Sequence, residues 1–324
     1  MTKTKTKILG GALALALGLA AQLVPATAQQ AVTIIVPFPP GGATDTTARF
    51  IEPKLASSIG SSVVIDNRPG ATGAIGAAMV AKAAPDGKTL LVASLGTFAT
   101  NPFLQKNLAY DPTKDFDLLT VAVSTPNVLV ANPNFEPKNV EELVAAMKKE
   151  PESVTFANSG NGSSDHLTAA LFFQATGTKG VHVSYKGGSG AQADLVGGHV
   201  DASFQNLGAI INYVKEGQMK ALAQTGEKRH PLLPDVPTLS ELGYTDIVVN
   251  AWQGVAAPKG LPAETKAKLN DGLKAALTEP EVVAKFNKLG FDVVGNSNEE
   301  FAKYLQDDMA RWKKVIETGN ITAE

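Results

Sequence analysis

From residue 32 onward, short β-branched runs alternate with stretches of helical spacing, and no other feature limits the possible folds as tightly. The strand-like runs are Val32–Val36, Val63–Asp66, Leu90–Ala93, Leu119–Val123, Val128–Ala131, Val154–Ala157, Val181–Ser184, Asp201–Gln205 and Lys220–Gln224. The helical stretches are Thr44–Ser58, Gly73–Ala84, Val140–Lys149, Ser164–Thr176, Ala191–Gly197 and Leu207–Glu216. Strands separated by helices at this spacing form βαβ units with mainly parallel sheets. Thr33-Ile34-Ile35-Val36 is apolar on both faces, as a sheet covered on both sides requires. The expected class is α/β.

Helix starts carry their own signals. Asn139 precedes Val140 with Glu142 three residues on, and Ser297 with Glu300 repeats the capping-box pattern more fully. Phe301, Tyr304, Leu305, Met309, Trp312, Val315 and Ile316 then keep helical spacing, which reads as a helix packed on the core. The middle of the chain contains its own β-α-β succession, whereas the C-terminal helices have no evident strands to cover. They are expected to pack back onto the first sheet. Two lobes follow, residues 29–126 plus 251–324 and residues 127–250, with a cleft between them. The chain would cross near Thr125-Pro126 and near Asn250–Trp252.

The first 28 residues stand apart. Lys3, Lys5 and Lys7 precede an apolar run from Ile8 to Ala21, and Ala26-Thr27-Ala28 forms a small-residue cleavage site. This is the pattern of a secretory signal peptide, and the run is shorter than the ~20 residues a membrane span needs. The mature protein is therefore expected outside the cytoplasm, in the periplasm. Removing the leader takes three lysines from a formal charge of −2, and no basic block follows residue 7, which argues against nucleic acid as a partner. There are no cysteines, so disulfides, thiol catalysis and thiolate metal sites are excluded.

The segments able to carry chemistry sit where strands end and helices begin. Residues 37–45, Pro-Phe-Pro-Pro-Gly-Gly-Ala-Thr-Asp, lie at the carboxyl end of the first strand, where open α/β folds bind ligands. Prolines stiffen this loop, glycines let backbone approach a ligand, and the helix that follows offers unpaired N–H groups to an anion. Residues 158–166, Asn-Ser-Gly-Asn-Gly-Ser-Ser-Asp-His, repeat the arrangement in the other half. Ser94–Thr97, Tyr185–Ser189 and Gln205-Asn206 occupy equivalent positions. Each alone is an ordinary turn, but their recurrence at one topological place points to capture of an anionic small molecule. Phe38 and Phe98 are either walls of that site or core residues.

Catalytic and metal patterns fail on spacing. Gly187-Gly188-Ser189-Gly190-Ala191 lacks the last glycine of a nucleophile elbow, and Gly160, Gly162 and Asp165 lack the third glycine of a dinucleotide loop. Gly87-Lys88-Thr89 leads into a strand, and Lys82 stands where a phosphate loop has its first glycine. Ser163, Asp165 and His166 share one turn, so they cannot converge as a hydrolytic triad. His166, His182, His199 and His230 show no metal-ligand spacing, and Asp111, Asp115 and Asp117 lack the glycine and bidentate glutamate of a calcium loop. No cofactor, metal or enzymatic activity is expected.

Several ordered motifs resemble the Bug family, the solute-binding proteins of tripartite tricarboxylate transporters. They are Val36–Asp45 with Ala48-Arg49, Asp66–Ala71, Pro85–Gly87, Tyr185–Gly188, Asp194–Asp201, Arg229, Pro234–Thr238 and Trp252–Gly254. The resemblance covers nearly the whole mature chain. It implies a two-lobed Venus-flytrap fold, closure on a small carboxylate, and membrane permease subunits as partners of a monomeric protein. It also implies that the loops holding Phe38–Asp45 and Ser159–His166 pinch the carboxylate from opposite lobes. The family takes dicarboxylates and tricarboxylates, acidic amino acids and aromatic acids. One departure is Gly190, where the family often has proline. The expected ligand-binding residues are Phe38, Gly42, Ala43, Thr44, Asp45, Ser94, Thr97, Ser159, Ser163, His166, Tyr185 and Asn206. Two alternatives stand beside this reading: presentation of the ligand to a membrane sensor kinase, and a periplasmic serine hydrolase using Ser163 or Ser189.

Overall fold

A computed structural model describes residues 31–322. The leader expected over residues 1–28 lies outside the described residues. The first part of the chain forms β1 (Val32–Val36), α1 (Ala43–Ile59), β2 (Val63–Asn67), α2 (Ala74–Ala81), β3 (Thr89–Ser94) and α3 (Asn101–Leu104). A long strand, β4 (Phe116–Ala131), leads to α4 (Val140–Lys149), β5 (Thr155–Asn158), α5 (Ser164–Thr176), β6 (Val181–Ser184) and α6 (Gly188–Gly197). Then come β7 (Ala202–Asn206), α7 (Leu207–Lys215), β8 (Lys220–Gln224) and a second long strand, β9 (Asn250–Pro258). The chain ends with α8 (Ala263–Thr278), α9 (Pro280–Leu289), β10 (Asp292–Val293) and α10 (Asn298–Gly319).

The strands lie in the order β2-β1-β3-β9-β4-β7-β5-β6, with β8 and β10 also paired to β4. The β1–β2, β1–β3, β5–β6 and β5–β7 pairs are parallel, as βαβ spacing implies. Every antiparallel pair contains β4 or β9, so the sheets are mixed, with the antiparallel share confined to neighbours of the two long strands. β4 changes partners along its length: Phe116–Pro126 pairs with β9, and Asn127–Ala131 pairs with β7 and β8. A two-lobed α/β fold results, and β4 carries the chain from one sheet to the other.

Two sequence expectations are corrected here. Leu119–Val123 and Val128–Ala131 belong to one strand, because Pro126 stands where the partners change and is aligned with Asn250 at the end of β9. The C-terminal helices also follow a strand that periodicity did not show. β9 reads Asn-Ala-Trp-Gln-Gly-Val-Ala-Ala-Pro, poor in β-branched residues, yet it is buried from Ala251 to Pro258 between β3 and β4. Burial on both faces and two hydrogen-bonded ladders override its weak propensity. Gly254 is required there, because a Cβ would lie 2.5 Å from the Phe301 ring of α10.

Helix caps and packing follow the sequence closely. Asn139 Oδ1 accepts the Glu142 N–H at 2.8 Å, and Ser297 with Glu300 forms a complete capping box. Leu143 and Met147 of α4, and Phe301, Leu305, Trp312 and Ile316 of α10, are buried. One apolar cluster joins Ile34 and Val36 to Ile51 and Leu55 of α1 and Leu273 of α8. Another joins Val128 and Val130 to Leu195, Ile210 and Ile211. Each such side chain withdrawn from water contributes about 1.5–3 kcal/mol, which fixes α1, α6 and α7 against the strand ends.

Candidate functional site

The loops that open α1 and α5 are built on one plan. In each, an aspartate in the first helical turn reaches back and ties down the loop. Asp45 Oδ2 accepts the Gly41 N–H at 2.9 Å. Asp165 Oδ2 accepts the Ser159 N–H at 2.7 Å and the Ser159 hydroxyl at 2.6 Å. Gly41 has φ 89°, a left-handed conformation that glycine adopts without steric cost. Asn67 braces the first loop, its amide donating to Phe38 O at 2.9 Å and to Asp45 Oδ1 at 3.0 Å. α1 starts after Gly42, which has no side chain to cap it, so its first N–H groups are left for a ligand or water.

The surroundings set the charge of each carboxyl. Burial pushes Asp45 up, but Arg49, the Gly41 N–H and the Asn67 amide overcome this and hold it below the ordinary carboxylate range. Arg49 donates through Nε at 2.8 Å and Nη2 at 3.0 Å. Asp165 has only neutral donors, and burial pushes its carboxyl above the ordinary range. Burial, with a smaller effect from His182, pushes His166 down to about 3, so it is a neutral imidazole at physiological pH. A folded pKa below the unfolded value stabilises above the unfolded value and ceases to do so as pH falls through the folded one. Asp45→Asn should therefore flatten the loss of stability below about pH 4. Thermal melts from pH 2 to 7 check this, and an unchanged acid slope would refute it.

A cleft separates the two loops. Of the expected residues, Phe38, Gly42, Ala43, Thr44, Ser94, Ser159, Ser163 and Asn206 line it. The other four do not, because each is turned toward a partner on its own side. Asp45 serves its loop and Arg49. The Thr97 hydroxyl donates to Thr72 O at 3.1 Å. His166 Nδ1 accepts the Gly162 N–H at 3.1 Å, and its ring meets that of His182 edge-on at 4.5 Å. The Tyr185 hydroxyl donates to Asp194. Phe98 is fully buried and stacks on Trp252 at 5.8 Å, which makes it core behind the cleft wall.

Other lining residues were not in the expected set, among them Gly188, Gln192, Gln205, Ala209, Ala251 and Trp252. Gln205 and Gly188 fall in strand-end segments already singled out. Gln192 lies a turn further along α6, and Trp252 depends on the unforeseen β9. Gln192 Nε2 donates to Gln205 Oε1 at 3.2 Å, and Asn206 Nδ2 to Asn127 Oδ1 at 2.7 Å. Trp252 Nε1 donates to Asp308 Oδ2 at 2.8 Å, so its ring is held from behind. The lining residues include no lysine, arginine or histidine, and Asp165 is their only charged group. About 40 Å³ of free space remains between the walls, room for a few waters but below the ~300 Å³ of a typical small-molecule site. An organic acid could enter only if the walls part.

This arrangement can hold an anion through helix N–H groups, hydroxyls and amides. It is not set up for acyl transfer. Ser163 Oγ caps α5 by accepting the His166 N–H at 3.3 Å, and its hydroxyl also interacts with the Asp165 carboxyl. His166 Nδ1 accepts the Gly162 N–H, so that nitrogen is not free to act as a base toward Ser163. Among the described residues, no group of three or more His, Cys, Asp or Glu is placed to hold a metal ion, and no helix is long and apolar enough to cross a membrane.

Known proteins share this architecture. A sequence profile of the tripartite tricarboxylate transporter family receptor matches residues 47–321. Protein BugT of Bordetella pertussis is 37% identical over 290 residues, covering 89% of each chain. The solved structure of Rhodopseudomonas palustris Rpa4515 with adipate is 34% identical, with TM-score 0.87 over 90% of this chain and 97% of that one. MatC from the same organism, with bound malate, is also 34% identical, with TM-score 0.85 over 88% of this chain and 98% of that one.

Proposed function

The chain belongs to the tripartite tricarboxylate transporter family receptors, and on that premise we propose that it captures a small organic carboxylate in the periplasm and delivers it to a membrane permease. The observation that carries this reading is the cleft in which α1 and α5 present their N-terminal ends among neutral donors. Such ends attract anions through unpaired N–H groups and the helix dipole. The adipate and malate bound by the two solved relatives support a dicarboxylate as the first class to try. Residues 1–28 would be removed on export, and the lobes would divide at 126/127 and 250/251, where β4 changes partners and β9 begins.

A thermal-shift screen of dicarboxylates, tricarboxylates, acidic amino acids and aromatic acids tests the proposal. A ligand at a hundred times its Kd should stabilise the folded state by ~2.7 kcal/mol, raising Tm by roughly 5 °C. No shift with any carboxylate would sink it. Because no lining residue is cationic, affinity should change by less than about threefold between 50 and 500 mM salt. Titrations followed by Trp252 fluorescence can check this, and a steep salt dependence would mean that an ion pair has been missed.

A further inference from the structure

The turn before α2 has a conformation that its residues resist. Gly70, Ala71, Thr72 and Gly73 all have positive φ, at 142°, 47°, 49° and 86°. For a β-branched residue such as Thr72 this is a strained backbone state, which persists only where surrounding contacts impose it. Those contacts are present. Thr72 O accepts the Thr97 hydroxyl and the Asn101 amide, each at 3.1 Å, and Ala71 O accepts the Gln105 amide at 2.9 Å. The product of this strain points across the cleft: the Thr72 hydroxyl donates to Asn161 O at 2.8 Å. Asn161 lies in the β5–α5 loop between the cleft residues Ser159 and Ser163. A second bridge lies beside it, the Thr100 hydroxyl donating to Gly162 O at 2.6 Å.

The surfaces around this bridge are cut to fit it. A Cβ on Gly160 would stand 2.8 Å from Thr72 Oγ1, and one on Gly96 would stand 3.0 Å from Thr72 Cγ2 and 3.3 Å from Gly162 O. Thr72 does not line the cleft, so it cannot read the ligand. We infer that the Gly70–Gly73 turn is a latch, in which Thr72 is a positioning residue that holds the closed state and so sets how fast a ligand leaves. This rests on the reading of the protein as two lobes that close, but its test requires no ligand.

The chain has no cysteine, so Lys82→Cys and Gln218→Cys, exposed and on opposite lobes, can carry a pair of spin labels in the full-length mature protein. Interlobe distances are then measured without ligand for the wild type, Thr72→Val and Thr72→Ser. Valine keeps the branched shape without the hydroxyl, and serine keeps the hydroxyl. Loss of one net hydrogen bond predicts a closed-to-open ratio lowered about 3- to 10-fold in Thr72→Val and near wild type in Thr72→Ser, with the melting temperatures of both within about 4 °C of wild type. Overlapping distance distributions for Thr72→Val and the wild type would overturn the latch. So would a fall of more than about 5 °C in the Thr72→Val melting temperature with no rescue of the distances by serine. If the latch result holds while every carboxylate fails the thermal screen, the closure mechanism stands and only the ligand class is wrong.

Discussion

Replacing Gly187 with alanine is expected to leave the protein folded while weakening ligand capture by about 5- to 100-fold. Gly187 N-caps α6 with φ 165°, an extended backbone that any residue adopts, so the substitution adds no conformational strain. Its new Cβ would lie 2.6 Å from Pro39 Cδ and 3.7 Å from Phe38 Cβ, across the cleft in the β1–α1 loop. Pro39 is a ring within a proline-stiffened loop and cannot swing away, so the relief available is for the walls to stand apart. Overpacking of this kind costs about 1–3 kcal/mol, paid only in the closed state, which corresponds to the stated loss of affinity. Calorimetric titration with a carboxylate from the thermal screen, alongside melting of the ligand-free protein, separates binding from folding. Gly177→Ala is the control: with φ 61° and nothing within 4 Å, it should lower stability by about 1 kcal/mol without touching the cleft. Wild-type affinity in Gly187→Ala would show that these two loops do not meet when ligand is bound.

Asp165→Ala should damage both folding and binding. The carboxylate gathers the Ser159 N–H, the Ser159 hydroxyl and, at 3.4 Å, the Gln205 amide, and Gln205 is buried. Alanine leaves these donors without their acceptor, at a combined cost of about 2–4 kcal/mol and a fall in Tm of roughly 5–10 °C. Ser159, freed from its tie, would no longer be held at the cleft wall, so affinity should fall at least tenfold beyond what thermal instability explains. Asp165→Asn keeps an acceptor oxygen and should lose about half as much stability. Equal melting temperatures for the alanine, asparagine and wild-type proteins would mean that Asp165 does not hold the loop.

Asp45 and Asp165 also show where sequence reading stops. Both sit in the first turn of a helix that opens beside the cleft, and Asp45 was among the residues expected to touch the ligand. In the structure Asp45 turns back to Gly41 and Arg49, and Asp165, though it lines the cleft, spends its carboxylate on Ser159. A residue's place along the chain says which side chains are near a site, but the partner that wins its hydrogen bonds is decided by geometry in three dimensions. Thr97, His166 and Tyr185 likewise do not line the cleft, each engaged with a partner on its own side.

The segments legible from the sequence are those stabilised locally. β1, β6, β8, α4 and α5 begin and end where their β-branched runs, helical stripes and capping residues place them. The strand-end loops followed from that succession, because in a parallel sheet they must gather at one edge. Tertiary structure alone decided the rest. It joined β4 across Pro126, made a strand of the weakly β-forming Asn250–Pro258, and through that strand set Trp252 into the cleft. Cap and turn preferences act over a few residues and can be read along the chain. Burial between β3 and β4 is a contact between segments far apart in sequence, and no local pattern encodes it.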